Sequence, residues 1–377
     1  MIVLDGCGAG VAPDAAEFGD LGSPNTLKHV WDAAGGFRAP NLAALGFLAA
    51  AGIDDPISPL PSGSVSFGRL QELSKGGKDS VTGHWEMMGI TVDAPFPTYP
   101  DGFPIPLVKE FEHRIGTQTI GNRPASGTAI IGDLGPLHVD TGFPILYTSA
   151  DSVFQLACHE EVVPVEKLYE WCKIAREICT EPNHVQRVIA RPFVGDIHTG
   201  FKRTERRRDF PLSPPQNLCD VVGDVFGIGV VPELFGSRGF REGTRTQSNP
   251  EHIVRLKEAL ESDAQFIFAN FEDFDMLYGH RNDPTGFAKC LEQFDGYLSE
   301  ILPLLNENDL LILTADHGND PTDESTDHSR EFVPVSLFRP GYSKAAQSLG
   351  DVRGMAAIGR TVASHLGLDW NVGELLR

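Results

Sequence analysis

The sequence predicts an α/β protein with a mostly parallel sheet flanked by helices and an inserted α/β domain. Three observations carry this. Short apolar runs lead into carboxylates and imidazoles at both ends of the chain. Helix-like and strand-like stretches alternate through its later part. Proline clusters bracket a middle segment that has its own alternation.

In chain order, Ile2-Val3-Leu4 reads as a buried strand ending at Asp5. The run from Gly76 to Glu86 is glycine-rich, and a helix is expected to begin near Ser80, with unpaired amides that would favour a phosphate. Prolines from Pro95 to Pro106, and again from Pro211 to Pro215, bracket the insertion. Within it, Pro144 to Thr148 reads as a strand, Val165 to Cys179 as a helix and Arg187 to Ala190 as a strand. Residues 96–213 are therefore expected to form the inserted domain, with 1–95 and 214–377 folding together as one discontinuous metal-binding core.

Past the insertion, Asn249 is expected to cap a helix that Pro250 starts, with Ile253, Leu256 and Leu260 on one face. Gln265 to Phe271 is a strand-like run. Asp283 and Pro284 open a helix carrying Phe287, Leu291, Phe294, Leu298 and Ile301, which Pro303 should end or kink. Leu310 to Thr314 is another strand, followed by a strand near Phe332 to Phe338 and a helix near Met355 to Leu366. The first strand is short, with only four residues before Asp5, which leads us to expect a natural start upstream.

Composition narrows the function classes. A chain of 377 residues exceeds what one core usually organises. No apolar stretch reaches membrane-spanning length, and no basic start precedes an apolar segment, so a soluble cytoplasmic protein is expected. Six cysteines without Cys-x-x-Cys or framework spacing suit free thiols in a reducing compartment. A net charge of -21 argues against general nucleic-acid affinity, so an anionic substrate needs local positive charge from metals or an arginine cluster.

The chemistry gathers at Asp5, Asp275, His280, Asp316, His317 and His328, each at the end of a strand or on a loop nearby. In open α/β sheets, sites lie beyond the carboxyl ends of the strands. Aspartates and histidines without cysteine exclude a closed structural zinc knot and suit Mn, Mg or Zn with open positions. There is enough ligand for two ions, and such a pair can hold the attacking and leaving oxygens of a phosphoryl group in transfer. Ser80 then becomes a plausible nucleophile, because a metal cluster can activate a hydroxyl without a histidine base. The scattered His29, His113, His138, His184, His252 and His365 are read as surface or core residues.

Taken together, Gly77-Lys78-Asp79-Ser80-Val81-Thr82-Gly83-His84-Trp85-Glu86, Asp275-Met276-Leu277-Tyr278-Gly279-His280, Thr314-Ala315-Asp316-His317-Gly318-Asn319-Asp320 and Thr326-Asp327-His328 resemble the prokaryotic phosphopentomutases of the alkaline phosphatase superfamily. Pro124-Ala125-Ser126-Gly127-Thr128, Tyr147 to Val153, and Ile189 to Gly195 extend the likeness along nearly the whole chain.

The resemblance implies an alkaline-phosphatase-like core beneath a cap domain and two Mn2+ ions, with Mg2+ or Zn2+ as alternatives. Asp5, Asp316 and His317 would hold one ion and Asp275, His280 and His328 the other, with Ser80 between them. The implied reaction interconverts ribose 1-phosphate, or 2-deoxyribose 1-phosphate, and ribose 5-phosphate through a phosphoserine and a 1,5-bisphosphate, primed by a sugar bisphosphate. A cap would keep water from the phosphoserine. Its expected substrate contacts are Ser149, Asp151, Arg191, Arg203 and Arg207, with Lys202 and Arg206 as solvated surface.

Two positions depart from the family pattern. Ser80 stands where relatives carry Thr, and Val230 follows Ile228-Gly229 where relatives carry Lys, with Arg238 or Arg241 as candidate replacements. Competing readings are a related metal-dependent phosphomutase or phosphatase for another phosphosugar, and a non-enzymatic phosphosugar-binding protein. The partner expected in each case is a small phosphosugar, with neither nucleic acid nor membrane.

Overall fold

The computed structural model describes residues 1–54, 63–149, 152–180, 182–342 and 344–377. In chain order its strands are β1 (Ile2–Leu4), β2 (Ser64–Gln71), β3 (Ile120–Pro124), β4 (Ile145–Thr148), β5 (Val153–His159), β6 (Arg187–Asp196), β7 (Gly200–Arg203), β8 (Arg208–Pro211), β9 (Val225–Ile228), β10 (Phe266–Phe271), β11 (Leu311–Thr314), β12 (Val333–Arg339) and β13 (Gln347–Arg353). The chain divides into two compact units, Met1–Ala94 with Pro214–Arg377, and Pro95–Ser213.

The larger unit is built on a seven-stranded sheet in the order β13-β2-β12-β11-β1-β10-β9. The four strands β11, β1, β10 and β9 run parallel. All three residues of β1 are fully buried, as expected for a central strand flanked on both sides. The expected strands 265–271 and 310–314 are β10 and β11. The strand near Phe332 is β12, but it runs antiparallel to β11 and to β2, so one edge of the sheet is mixed.

Helix boundaries follow local chemistry. Pro284–Ile301 opens with the Asp283 side chain accepting from Gly286 N–H, and its expected apolar face is buried. Pro303 falls in a 3-10 turn, Leu302–Leu304, that closes this helix. The helix Asn249–Leu260 departs from expectation at its start. Ser248 is the cap residue, while Asn249 exchanges hydrogen bonds with Asp273, donating at 3.0 Å and accepting at 3.3 Å. Asn249 is thus used to tie the helix to the loop after β10.

The smaller unit carries a sheet in the order β3-β4-β5-β6-β7, with β8 also paired to β6. Helices Ile105–Ile115 and Val165–Ile178 cover one apolar cluster around Phe111, Phe154 and Trp171. A second cluster lies between Gly127–Thr141 and the sheet, built from Ile130, Ile131, Ile145, Tyr147 and Phe193.

Candidate active site

Strand register places the first candidate ligands. Val3 of β1 is level with Thr314 of β11, and Leu4 is level with Phe271 of β10. Parallel neighbours end at the same side of the sheet, so Asp5 and Asp316 leave it together. Gly6 N–H donates to Asp316 Oδ1 at 3.2 Å, and Asn270 Nδ2 donates to Asp5 Oδ2 at 2.6 Å. His317 Nε2 lies 3.5 Å from Asp5 Oδ1 and 3.2 Å from Asp316 Oδ2.

The second set comes from two loops. After β10 the chain makes a wide π-helical turn, Phe274–Tyr278, then a 3-10 turn, Gly279–Arg281. Such single turns often aim functional side chains. They place His280 Nε2 3.1 Å from Asp275 Oδ2, and His328 Nε2 3.5 Å from Asp275 Oδ1. The two imidazole nitrogens, His280 Nε2 and His328 Nε2, are 3.2 Å apart. Donor atoms of Asp5, Asp316 and His317 all lie within 4.8 Å of one another, as do those of Asp275, His317 and His328. Among the described residues the His317 donor atom thus lies near both groups.

Ser80 begins the helix Ser80–Met87, and its Oγ lies 3.1 Å from His317 Nε2. The expectation of unpaired amides here is met only in part. Asp79 caps the helix, its Oδ1 accepting from Val81 N–H at 2.9 Å and Thr82 N–H at 3.1 Å, so those donors are already taken. The helix end approaches the metal loop closely. A Cβ on Gly83 would sit 2.3 Å from the Asp316 carbonyl oxygen, which only glycine avoids.

These residues fit divalent cations. Among the described residues Asp5 Oδ1 and Asp316 Oδ2 are buried without a hydrogen-bond donor, and buried acceptors of that kind call for a cation or a proton. Burial, then the charges of Asp316 and Asp275, push the Asp5 carboxyl well above its usual range. Burial also raises Asp275, but hydrogen bonds from His280 and His328 outweigh it and hold that carboxyl well below the usual range. The same contact raises His280 to about 9. Burial lowers the pKa of His317, which favours the neutral ring that a metal ligand needs.

The loop carrying His328 is pinned by Arg330, which is 1% exposed. Its guanidinium pairs with Glu72 and, at 2.9 Å, with Asp14, while its backbone N–H donates to Asp20 Oδ2 at 2.6 Å. Lys78, two residues before Ser80, pairs with the same Asp20 at 2.7 Å.

The remaining expected site residues belong to the smaller unit. Arg191 Nε donates to Gln155 Oε1 at 3.2 Å, Arg203 Nη2 to Thr128 Oγ1 at 3.0 Å, and Arg207 makes a two-pronged pair with Asp209 at 2.7 Å. Ser149 follows β4 and is half-buried. Asp151 lies outside the described residues. Lys202 is exposed as expected, but Arg206 is not merely solvated, since it bridges Glu160 and Glu166. Arg238 and Arg241, considered as stand-ins for the lysine absent at Val230, are committed elsewhere. Arg238 pairs with Asp220, and Arg241 with Asp224 and Asp263.

Three residues that sequence reasoning passed over support the candidate ligands. Asn319 Nδ2 donates to Asp275 Oδ1 at 2.6 Å. Asn270 orients Asp5, and an amide side chain inside an apolar strand was the available signal. His84 is fully buried, with Nδ1 2.8 Å from the Ser80 carbonyl and 3.5 Å from Asp316 Oδ2. Such outer partners fix the orientation of metal ligands.

The sequence matches the family described as Metalloenzyme superfamily over residues 1–370. It is 48% identical to the phosphopentomutase of Acetivibrio thermocellus, covering 99% of this chain and 96% of that protein. It is 49% identical to the phosphopentomutase of Dictyoglomus thermophilum, covering 96% and 93%, and 46% identical to that of Herpetosiphon aurantiacus, covering 98% and 95%.

Proposed function

As the chain belongs to the phosphopentomutases, an isomerase family within the metalloenzyme superfamily, we propose that it interconverts ribose 1-phosphate, or its 2-deoxy analogue, and ribose 5-phosphate. The observation that carries this reading is Ser80 Oγ at 3.1 Å from His317 Nε2, a nitrogen that lies near both groups of donor atoms among the described residues.

In this reading Asp5, Asp316 and His317 hold one divalent cation, and Asp275, His280 and His328 hold the other, with Mn2+ as the physiological ion and Mg2+ or Zn2+ as alternatives. When bound, such ions lower the pKa of the Ser80 hydroxyl and neutralise phosphoryl oxygens. Ser80 Oγ carries a phosphoryl group, supplied at first by a sugar bisphosphate. It passes that group to the free hydroxyl of the monophosphate, giving a 1,5-bisphosphate, and regains one from the opposite end. Each transfer breaks one P–O bond and makes one, so the enzyme returns phosphorylated.

The inserted unit has the part of a cap. Ser149 and Asp151 are proposed to contact the sugar, and Arg191, Arg203 and Arg207 the phosphate that is not reacting, since a guanidinium fork matches phosphate oxygens. Six buried free thiols suit a reducing cytoplasm.

The test is to supply ribose 5-phosphate, a catalytic amount of sugar bisphosphate and Mn2+. Ribose 1-phosphate should form, and Ser80→Ala should form none. Release of free phosphate in its place would assign the chain to the phosphatase reading.

A further inference from the structure

We propose that the phosphate subsite of the inserted unit includes the Tyr147 hydroxyl and the backbone amides of Gly127 and Thr128. This rests on the reading above that Arg191, Arg203 and Arg207 take the phosphate that is not reacting.

Tyr147 is 1% exposed, and its ring lies in the apolar cluster under the helix Gly127–Thr141, beside Ile130, Ile131 and Ile145. Strand alternation puts Ile145 and Tyr147 on the same face of β4. Phenylalanine would fill that place equally well, yet the residue is tyrosine. Among the described residues its hydroxyl makes no hydrogen bond, although the ring that carries it is buried.

The hydroxyl is aimed at the first turn of the helix. A Cβ on Gly127 would fall 2.6 Å from it and 2.8 Å from Arg203 Nη2, so both polar groups converge where glycine leaves room. Ser126 caps the helix by accepting from Ala129 N–H at 3.2 Å, which satisfies the third amide and leaves those of Gly127 and Thr128 without partners among the described residues. A helix of fifteen residues presents positive potential there.

Charge points to the same place. Arg191 and Arg203 have no carboxylate partner among the described residues, and Arg207 has Asp209 alone. Burial, then repulsion from Arg207 and Arg203, lowers the Arg191 guanidinium. Cations assembled against mutual repulsion, beside a hydroxyl without a partner and the first turn of a helix, match the oxygens of a phosphate dianion.

The experiment is equilibrium titration of ribose 5-phosphate into the Mn2+-loaded full chain carrying Ser80→Ala, which cannot turn over. Adding Tyr147→Phe should weaken binding roughly tenfold or more with the melting temperature unchanged, as loss of a hydrogen bond to a charged group does. Gly127→Ala, which pushes a methyl into the subsite while keeping the hydroxyl, should weaken it as well. Arg203→Gln is the reference for the arginine clamp. Wild-type affinity in Tyr147→Phe and Gly127→Ala, with Arg203→Gln impaired, would overturn this inference and leave the clamp standing. Wild-type affinity in all three would overturn both.

Discussion

Ser80 Oγ and His317 Nε2, 237 positions apart in the chain, stand 3.1 Å from each other. The contact follows from two local events. Asp79 starts a helix at Ser80, and β11 delivers Asp316 and His317 beside β1. Neither event needs the other, and their meeting places a hydroxyl against the imidazole that lies near both groups of candidate ligands among the described residues.

Asn319 should matter through Asp275. Its amide donates at 2.6 Å to Asp275 Oδ1, which is also the oxygen facing His328. Asn319→Leu removes the donor and should weaken retention of one of the two ions about 10- to 100-fold. Metal content measured after dialysis against graded free Mn2+ would show it. Two ions held as tightly as in the wild type would refute the role.

The imidazole of His280 predicts a pH window in the metal-free protein. Its pKa is raised to about 9 by Asp275, so its contribution to stability is complete below the ordinary value of about 6.5 and lost as pH rises through about 9. Melting temperatures of the chelator-treated protein should therefore decline across that window, and His280→Gln should flatten the decline. Cation uptake needs the neutral ring, so apparent Mn2+ affinity should strengthen over the same range. A melting temperature that climbs from about pH 6.5 to 9, equally in both proteins, would contradict this.

The elements that build the centre were legible because burial writes itself into sequence. β1, β10 and β11 are mostly apolar runs, and each leads into the segment that carries an acidic site residue, Asp5, Asp275 and Asp316. β2 and β13 were not found. β13 lies at the sheet edge with Gln347, Ser348, Gly350, Asp351 and Arg353 exposed, so no apolar pattern marks it. The antiparallel course of β12 was also hidden, because pairing direction is set by long-range contacts. Ligand types were readable as residue types, whereas Asn270, Asn319 and Arg330 act through partners up to 316 positions away.

Arg330 should be a stability determinant. It is buried and paired with Glu72, whose carboxyl burial pushes well above its usual range even beside the guanidinium, and with Asp14. Arg330→Met leaves Glu72 buried and uncompensated, which should cost about 3 to 5 kcal/mol. Adding Glu72→Leu should recover much of that loss. Urea unfolding of the two variants tests this, and equal destabilisation by single and double substitutions would refute the pairing account.

In the proposed reaction Ser80 carries the phosphoryl group. Intact-mass measurement after incubation with a pentose bisphosphate and Mn2+ tests it most directly. One phosphoryl group should appear on the wild-type chain, map to Ser80 and be absent from Ser80→Ala. A wild-type chain that turns over ribose 5-phosphate without ever carrying that group, or a Ser80→Ala chain that still carries it, would contradict the account.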